Sequence, residues 1–309
     1  MTQLIPFVGD DGQDGVVRTT VLAPDLTVPV QGLGCMRMVP SRERDAPSVL
    51  NRALDLGVTF LDTADLYSDG RNEELVGRTV RSRREEDVLG TKFGALRHPD
   101  GAMYFRGDPG YVRAACEASL RRLGIDVIDL YYLHHRDPAV PIGDTVGAMA
   151  ELVAAGKVRH LGLCEVTGDE LRAAHTVHPI AALQSEWSLW SRRVEAVVAV
   201  CVELGVGVVP YCPQGAGLLT GSAAAGPPPA DAVPLLDLLR QVAQRHGAKP
   251  GQIALAWVQQ RAEVWGIPVV PIPGTVRLAH LEENAAAAGL TLSAEELAEL
   301  EARTPSPVP

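Results

Sequence analysis

A regular alternation of short apolar runs with helical patterns constrains the fold of this chain more than any other feature. Eight runs of strand length occur, and stretches with helical spacing separate them. Several of these stretches end at a glycine, which is typical of helices that stop at a left-handed residue. Such an alternation predicts a parallel sheet with crossover helices. The predicted strands are 32–36, 58–62, 88–93, 127–133, 158–163, 180–184, 207–211 and 269–273, and the predicted helices include 47–56, 72–80, 111–123, 145–155, 194–204 and 235–246.

A parallel sheet with crossover helices can be an open, doubly wound sheet or a closed barrel. The positions of the glycines distinguish these two arrangements. An open, doubly wound sheet that binds a dinucleotide carries G-x-G-x-x-G after its first strand, whereas residues 32–34 read only Gly-Leu-Gly. We therefore predict an α/β fold of the closed, TIM-type (β/α)8 barrel kind. Further helices outside the barrel are predicted at 250–260 and 293–302, and irregular loops at 95–110 and 221–234.

We expect a single domain over residues 1–309. Its first part, residues 1–29, contains an alternating segment at 16–28 that predicts an N-terminal β-hairpin. The barrel is expected over residues 30–290, and a C-terminal helix and tail over residues 291–309.

Charge and cysteine content narrow the classes of partner. The chain has 28 basic and 38 acidic residues and a net charge of -10. Its electrostatic field therefore does not favour binding to nucleic acid or to an anionic membrane. Its five cysteines are scattered without a C-x-x-C pair or metal-like spacing to histidine, which predicts neither disulfides nor a metal site. The first residues lack a basic start before an apolar run, and no apolar stretch is long enough to span a bilayer. We expect a soluble protein of the cytoplasm.

Four polar residues fall where three successive predicted strands end. Asp62 ends the second strand, Tyr67 follows it, Lys92 ends the third and His134 the fourth. In a (β/α)8 barrel these ends surround one mouth. An ammonium beside a phenol lowers the pKa of the phenol, a carboxylate holds the ammonium, and an imidazole can orient a substrate oxygen. The set predicts carbonyl reduction.

Each of these residues also has a purely structural interpretation. Asp62 could cap a helix, Tyr67 could pack at a loop edge, Lys92 could be solvated, and His134 could be a core histidine. His135 competes with His134, because strand parity does not separate two neighbours at a fraying strand end. The catalytic interpretation depends on all these residue types falling together at the strand ends.

The sequence resembles the aldo-keto reductase family over residues 32 to about 300. The segments that carry the resemblance occur in the family's order: LGLGCM, GVTFLDTADLY, NEELVGR, TKFG, DLYYLH, GKVRHLGL, LQSEWSLWSR, VVPYCPQGAGLLTG, and PIPGT with LEEN. By this resemblance Asp62, Tyr67, Lys92 and His134 match the catalytic tetrad of the family, with His134 chosen because it follows DLYYL.

The resemblance implies that NADP(H) is the cofactor and that its nicotinamide lies across the barrel mouth. The nicotinamide would stack on Tyr211, and the loop 212–218 would cradle the pyrophosphate through backbone N–H groups. The carboxamide would contact Gln184, Cys164 and Glu165. The whole set of implied cofactor contacts is Gly34, Cys35, Met36, Asp62, Cys164, Glu165, Gln184, Tyr211, Cys212, Pro213, Gln214, Gly215, Ala216, Gly217, Ile272, Gly274, Thr275, Arg277, His280, Glu283 and Asn284, of which Gly274, Thr275, Arg277, Glu283 and Asn284 match positions that bind the 2′-phosphate and the adenine.

The cofactor side also departs from the family pattern. The family commonly has a hydroxyl residue, a serine, two basic residues and an arginine where this chain has, in that order, Cys164, Cys212, Ala216, Val276 and His280. Losing basic groups predicts weaker NADPH binding, or a relaxed preference that also admits NADH, unless Arg277 and His280 compensate.

The substrate pocket is predicted to include Arg37, Tyr67, Tyr104, Phe105 and His134. Arg37 stands where relatives usually have glycine. It could bind a carboxylate or phosphate of the substrate, or it could be a surface residue without a binding role. The expected function is NAD(P)H-dependent reduction of a small aldehyde or ketone to an alcohol. Two alternatives remain open: a nicotinamide-binding regulatory subunit or degenerate reductase with weak turnover, and a redox-neutral lyase or isomerase on the same barrel.

Overall fold

The chain alternates between strands and helices as its apolar pattern predicts. The computed structural model describes residues 18–39, 41, 44–221 and 227–304. In chain order the strands are β1 (Thr19–Ala23), β2 (Leu26–Pro29), β3 (Leu33–Gly34), β4 (Phe60–Asp62), β5 (Val88–Phe93), β6 (Ala95–Arg97), β7 (Met103–Phe105), β8 (Ile128–Leu133), β9 (Val158–Cys164), β10 (Ile180–Glu186) and β11 (Gly207–Tyr211). The helices are α1 (Ala46–Asp55), α2 (Arg71–Val80), α3 (Pro109–Leu123), α4 (Ile142–Ala154), α5 (Gly168–Val177), α6 (Glu195–Leu204), α7 (Val233–Arg245), α8 (Pro250–Trp265), α9 (Leu278–Ala286) and α10 (Ala294–Glu301).

Seven parallel strands form the wall of a nearly closed barrel, in the order β3-β4-β5-β8-β9-β10-β11. The segment after α8 fills the remaining gap. Ile272 donates its N–H to the carbonyl of Pro210 at 2.9 Å, and Gly32 donates to the carbonyl of Pro271 at 3.0 Å. Pro271 and Pro273 have no N–H to return to β3, so this side closes without a regular ladder. The predicted (β/α)8 barrel with outer helices is confirmed.

The helix α5 is absent from the helices predicted from periodicity. Only Leu171 and Ala174 are buried on it, so its apolar face is too narrow to produce a clear helical pattern. Its start is marked instead by a capping box, in which Thr167 and Glu170 bond each other's backbone N–H groups.

The N-terminal hairpin, β1 with β2, closes the end of the barrel opposite the mouth. Leu22, Leu26 and Val28 pack into the apolar cluster of the barrel interior, together with Phe60 and Val209. The hairpin was predicted from residue 16, and residues 16 and 17 lie outside the described part of the chain, as does the tail beyond residue 304. The assignment of the whole chain to one domain stays a prediction.

The prediction of an irregular loop over 95–110 was wrong, because β6 and β7 form a second antiparallel hairpin there. Its turn contains Gly101 with φ of +91°, and the N–H of His98 donates to the carbonyl of Ala102. These strands of three residues are too short for a period-two pattern to be visible. For the loop predicted at 221–234, residues 222–226 lie outside the described part, and α7 begins at Val233.

Across the described residues, no helix combines the length and the apolar character that crossing a membrane requires. The five cysteines carry free thiols, and four of them are buried.

Candidate active site

Three neighbouring strands bring the predicted catalytic residues to one end of the barrel. Asp62 is the last residue of β4, Lys92 lies near the end of β5, and His134 follows β8 directly. Because β4 pairs with β5 and β5 pairs with β8, all in parallel, their carboxyl ends meet at the same mouth.

Lys92 lies entirely inside the barrel, with none of its side chain exposed. Its ammonium donates to the Asp62 carboxylate and, at 2.8 Å, to the carbonyl oxygen of Thr63. The Gln184 amide donates to the other Asp62 oxygen at 2.9 Å. Burial by itself would lower the pKa of Lys92, but the adjacent carboxylate outweighs burial and raises it. Lys92 is therefore a fixed positive charge.

Tyr67 lies in the turn after β4, with its ring centre 5.2 Å from the Lys92 ammonium. Burial raises the pKa of the phenol, and Lys92 lowers it only in part. The net direction is opposite to the lowered pKa expected from the sequence, because a buried phenolate loses more solvation than one ammonium returns. Tyr67 is thus a protonated phenol.

The Tyr67 turn is held by Asn72, which is fully buried at the start of α2. The Asn72 amide donates to the carbonyl oxygens of Cys35 and Met38 at 2.8 and 2.9 Å, and its oxygen accepts from the Thr63 hydroxyl at 2.5 Å. Sequence reasoning missed the roles of Asn72 and Thr63, although Asn72 stands in the NEELVGR segment. A buried polar residue that ties two loops together has no local signature beyond its polarity.

The two histidines after β8 occupy different places. The His134 ring stands edge-on to the Tyr67 ring, with centres 5.9 Å apart. The His135 ring stacks on His134 at 5.4 Å and contacts the Phe105 ring at 5.0 Å. Burial, with Lys92 adding to it, lowers the pKa of His134 to about 2. His134, rather than His135, is the neutral imidazole beside the phenol.

The residues predicted around a nicotinamide lie at the ends of β9, β10 and β11. Cys164 and Gln184 are buried, Glu165 is exposed on the rim, and the Tyr211 ring is half-buried. These strands are consecutive neighbours in the sheet, so the side chains share one side of the mouth.

The loop after β11 has the backbone conformation expected of an anion-binding turn, with positive φ at Cys212, Gly215, Ala216 and Gly217. Its donors are nevertheless partly used, since the N–H groups of Gly215 and Gly217 donate to loop carbonyls at 2.8 and 3.1 Å. This differs from the expected cradle of free N–H groups. A bound diphosphate would have to replace those turns.

Two predicted adenine contacts already have protein partners. The Asn284 side-chain oxygen accepts from the Gln214 amide at 3.0 Å, and Glu283 pairs with Lys249. Arg277 and His280, predicted near the 2′-phosphate, are both exposed. The structure therefore leaves the Arg277 guanidinium and the His280 imidazole accessible, while the neighbouring polar groups already have partners.

The predicted substrate residues Phe105, Arg37 and Tyr104 have different surroundings. Phe105 contacts His135 at the mouth, and Arg37 is exposed after β3. The Tyr104 ring instead stacks on His98 of its own hairpin at 4.1 Å. Neighbouring residues of a strand face opposite sides, so Phe105 and Tyr104 cannot both face the pocket.

No group of three or more histidine, cysteine or carboxylate side chains within the described ranges could hold a metal ion. What the mouth offers is a neutral phenol, a fixed ammonium and a neutral imidazole. The phenol and the imidazole, whose rings lie side by side, can each donate a hydrogen bond to a substrate oxygen, while the ammonium lies behind the phenol.

Known proteins resemble this chain in fold and in sequence. A profile described as "Aldo/keto reductase family" matches residues 32–304. The chain is 41% identical over 292 residues to "Probable aldo-keto reductase 1" of Glycine max, covering 87% of this chain and 83% of that protein. The holo form of an aldo-keto reductase from Bacillus halodurans superposes with a TM-score of 0.80 at 29% identity, covering 94% of this chain and 97% of that one.

An aldo/keto reductase from Klebsiella pneumoniae, solved in complex with NADP and acetate, superposes with a TM-score of 0.75 at 29% identity, covering 95% of this chain and 97% of that one. Fold and site together define an oxidoreductase built on a (β/α)8 barrel. The chain belongs to the aldo-keto reductase family.

Proposed function

We propose that this protein is an NADP(H)-dependent reductase of small aldehydes or ketones in which Tyr67 is the general acid. The observation that carries the proposal is the buried Lys92 ammonium, which lies between the Asp62 carboxylate and the Tyr67 ring. Burying a charge is costly, and a chain retains it where chemistry uses it. A structural ion pair alone would not account for the phenol and imidazole beside it.

Each residue has a distinct task. Tyr67 donates its proton to the carbonyl oxygen, and Lys92 stabilises the phenolate that results. Asp62 holds Lys92 in place and is itself held by the Gln184 amide, while His134 donates a hydrogen bond that orients the substrate oxygen. NADPH, when bound, supplies the hydride.

The residues present fit a nicotinamide dinucleotide. Gln184 and Glu165 offer polar groups to a carboxamide, and Tyr211 offers an aromatic face. At the other end, the exposed Arg277 guanidinium and the exposed His280 imidazole offer N–H donors to the 2′-phosphate. The NADP complex of the Klebsiella relative supports this assignment. NADH remains a second cofactor to test, since Ala216 and Val276 add no charge.

For the substrate, we propose a carbonyl compound whose body rests against Phe105 and His135, with Arg37 available to an anionic group. We also propose a reducing compartment such as the cytoplasm, because all five cysteines carry free thiols.

The test measures oxidation of NADPH and NADH with a panel of aromatic, aliphatic and carboxylated carbonyl compounds. Wild type should oxidise NADPH, and Tyr67→Phe should lose activity roughly 10²- to 10⁴-fold while still binding the cofactor. Tyr104→Phe, which removes a hydroxyl from the hairpin, is the matched control and should stay active. Absence of cofactor oxidation with every compound would overturn the proposal. Product formed without net cofactor use would favour a lyase or isomerase.

A further inference from the structure

Glu165 places a carboxylate on the rim of the barrel in a costly backbone conformation. It follows β9 directly, and its φ of +51° is one that side chains other than glycine rarely adopt. Its N–H donates to the carbonyl of Gln184 at 3.1 Å. One carboxylate oxygen accepts from the Ser185 hydroxyl at 3.0 Å and from the Glu186 N–H at 2.9 Å. This carboxylate is held in one position.

This position is next to Tyr211, because the Glu186 N–H that binds the carboxylate belongs to the residue paired with Tyr211 across the sheet. Burial raises the pKa of the Tyr211 phenol, and the Glu165 carboxylate raises it further by its charge and by a hydrogen bond. Glu186 lies opposite Tyr211 in the sheet, but its carboxylate pairs with Arg193 at 3.5 Å. No ion-pair partner is found for Glu165 among the residues that the structure describes. The Glu165 carboxylate therefore places a negative charge, without an ion-pair partner among the described residues, on the side of the mouth at Tyr211.

We propose that the negative charge of Glu165 favours binding of the oxidised cofactor over binding of the reduced one. With a neutral side chain at this position, the preference for the oxidised cofactor would be weaker. The inference rests on the proposed NADP(H) function and on Tyr211 as the face for the nicotinamide. The nicotinamide ring carries a positive charge after it has given up hydride and none before. A fixed carboxylate nearby stabilises only the charged form.

The consequence concerns the direction of the reaction. A hydride, with its two electrons, passes to the carbonyl carbon, and the Tyr67 proton passes to the carbonyl oxygen. Because Glu165 stabilises the cofactor that has lost the hydride, it increases the driving force for carbonyl reduction within the bound complex. A residue that merely held the carboxamide or the Tyr211 phenol would affect both forms of the cofactor alike.

The experiment compares the Kd values of NADP⁺ and NADPH, by calorimetric titration, for wild type and Glu165→Gln. The variant keeps a hydrogen-bonding side chain of similar size and loses only the charge. We expect NADP⁺ affinity to fall about three- to tenfold more than NADPH affinity, and added salt to reduce this difference. Glu165→Asn, whose side chain tolerates the left-handed conformation, should show the same shift if Glu165→Gln folds poorly.

Glu151→Gln is the matched control. It makes the same change of charge on α4, where Glu151 pairs with Arg113, near the end of the helix that leads away from the mouth. It should leave the ratio of the two Kd values unchanged. If Glu165→Gln weakened the binding of NADP⁺ and NADPH equally, or changed neither affinity, the inference would be overturned while the proposed function stands. Failure of wild type to bind either form would overturn both.

Discussion

The Lys92 ammonium lies 5.2 Å from the centre of the Tyr67 ring, in a position where no part of the lysine side chain reaches solvent. The same ammonium pairs with the Asp62 carboxylate, so one buried charge links an ion pair inside the barrel to the proposed chemistry at its mouth. The two roles can be separated by changing the partners one at a time.

Lys92→Met leaves the Asp62 carboxylate buried without its cation. We expect the free energy of unfolding to fall by about 3–5 kcal/mol, since breaking a buried pair leaves an uncompensated charge. Chemical denaturation measures this loss. The double variant Asp62→Leu/Lys92→Met should recover much of the stability without recovering turnover. A double variant as unstable as the single one would contradict this view of the pair.

Gly162→Ala tests how closely the barrel interior packs beneath Lys92. A Cβ at this position would lie 2.3 Å from the buried Tyr132 ring, whose centre is 5.9 Å from the Lys92 ammonium. We expect a loss of about 1–3 kcal/mol and reduced turnover, because Tyr132 must move. Gly147→Ala, in α4 with nothing within 4 Å of its new Cβ, should instead stabilise by about 0.5–1 kcal/mol. Equal thermal melting shifts for both variants would refute the packing argument.

Asp65 should make stability depend on pH. Burial, and then the charge of Glu73, raises its pKa to about 7 from 3.8. A raised carboxyl pKa means that the folded state holds the proton more tightly than the unfolded state does. The contribution of Asp65 to the free energy of unfolding is therefore present at low pH and is lost as pH rises towards and through 7. Asp65→Asn should therefore be about as stable as wild type below the unfolded pKa of 3.8 and more stable than wild type at pH 8, by on the order of 1–3 kcal/mol.

Asp169→Asn is the control for this pH series, since the Asp169 side chain is 99% exposed. Thermal melts at several pH values should show no comparable divergence for it. A constant difference between Asp65→Asn and wild type at every pH would disprove the assignment.

Arg277→Ala tests recognition of the 2′-phosphate. Without basic residues at Ala216 and Val276, Arg277 should carry much of the selectivity, and its loss should weaken NADPH binding roughly tenfold while NADH binding stays the same. Fluorescence titration with both cofactors measures this. Arg240→Ala, which removes an arginine paired with Asp237 on α7, should change neither affinity. If the variant weakened the binding of NADPH and NADH to the same extent, Arg277 would have a role other than phosphate recognition.

Sequence reasoning succeeded where the signal is local. Strand ends are marked by apolar runs, and Asp62, Lys92 and His134 could be placed at one mouth because parallel strands end on one side. It failed for β6 and β7, whose three-residue strands have no visible period, and for α5, whose buried face is too narrow. It also assigned Tyr104 and Phe105 to the same pocket wall, although neighbouring strand residues face opposite sides.

The alternation of barrel strands with helices and the placing of Asp62, Lys92 and His134 at strand ends could be predicted from the sequence itself, because apolar periodicity and strand ends are local properties of the chain. Tertiary structure alone decided that burial raises the pKa of the Tyr67 phenol, and that the Glu165 carboxylate lies next to Tyr211 without an ion-pair partner among the described residues. Those properties depend on solvation and on charges contributed by distant segments, and they exist only once the strands have assembled around one mouth.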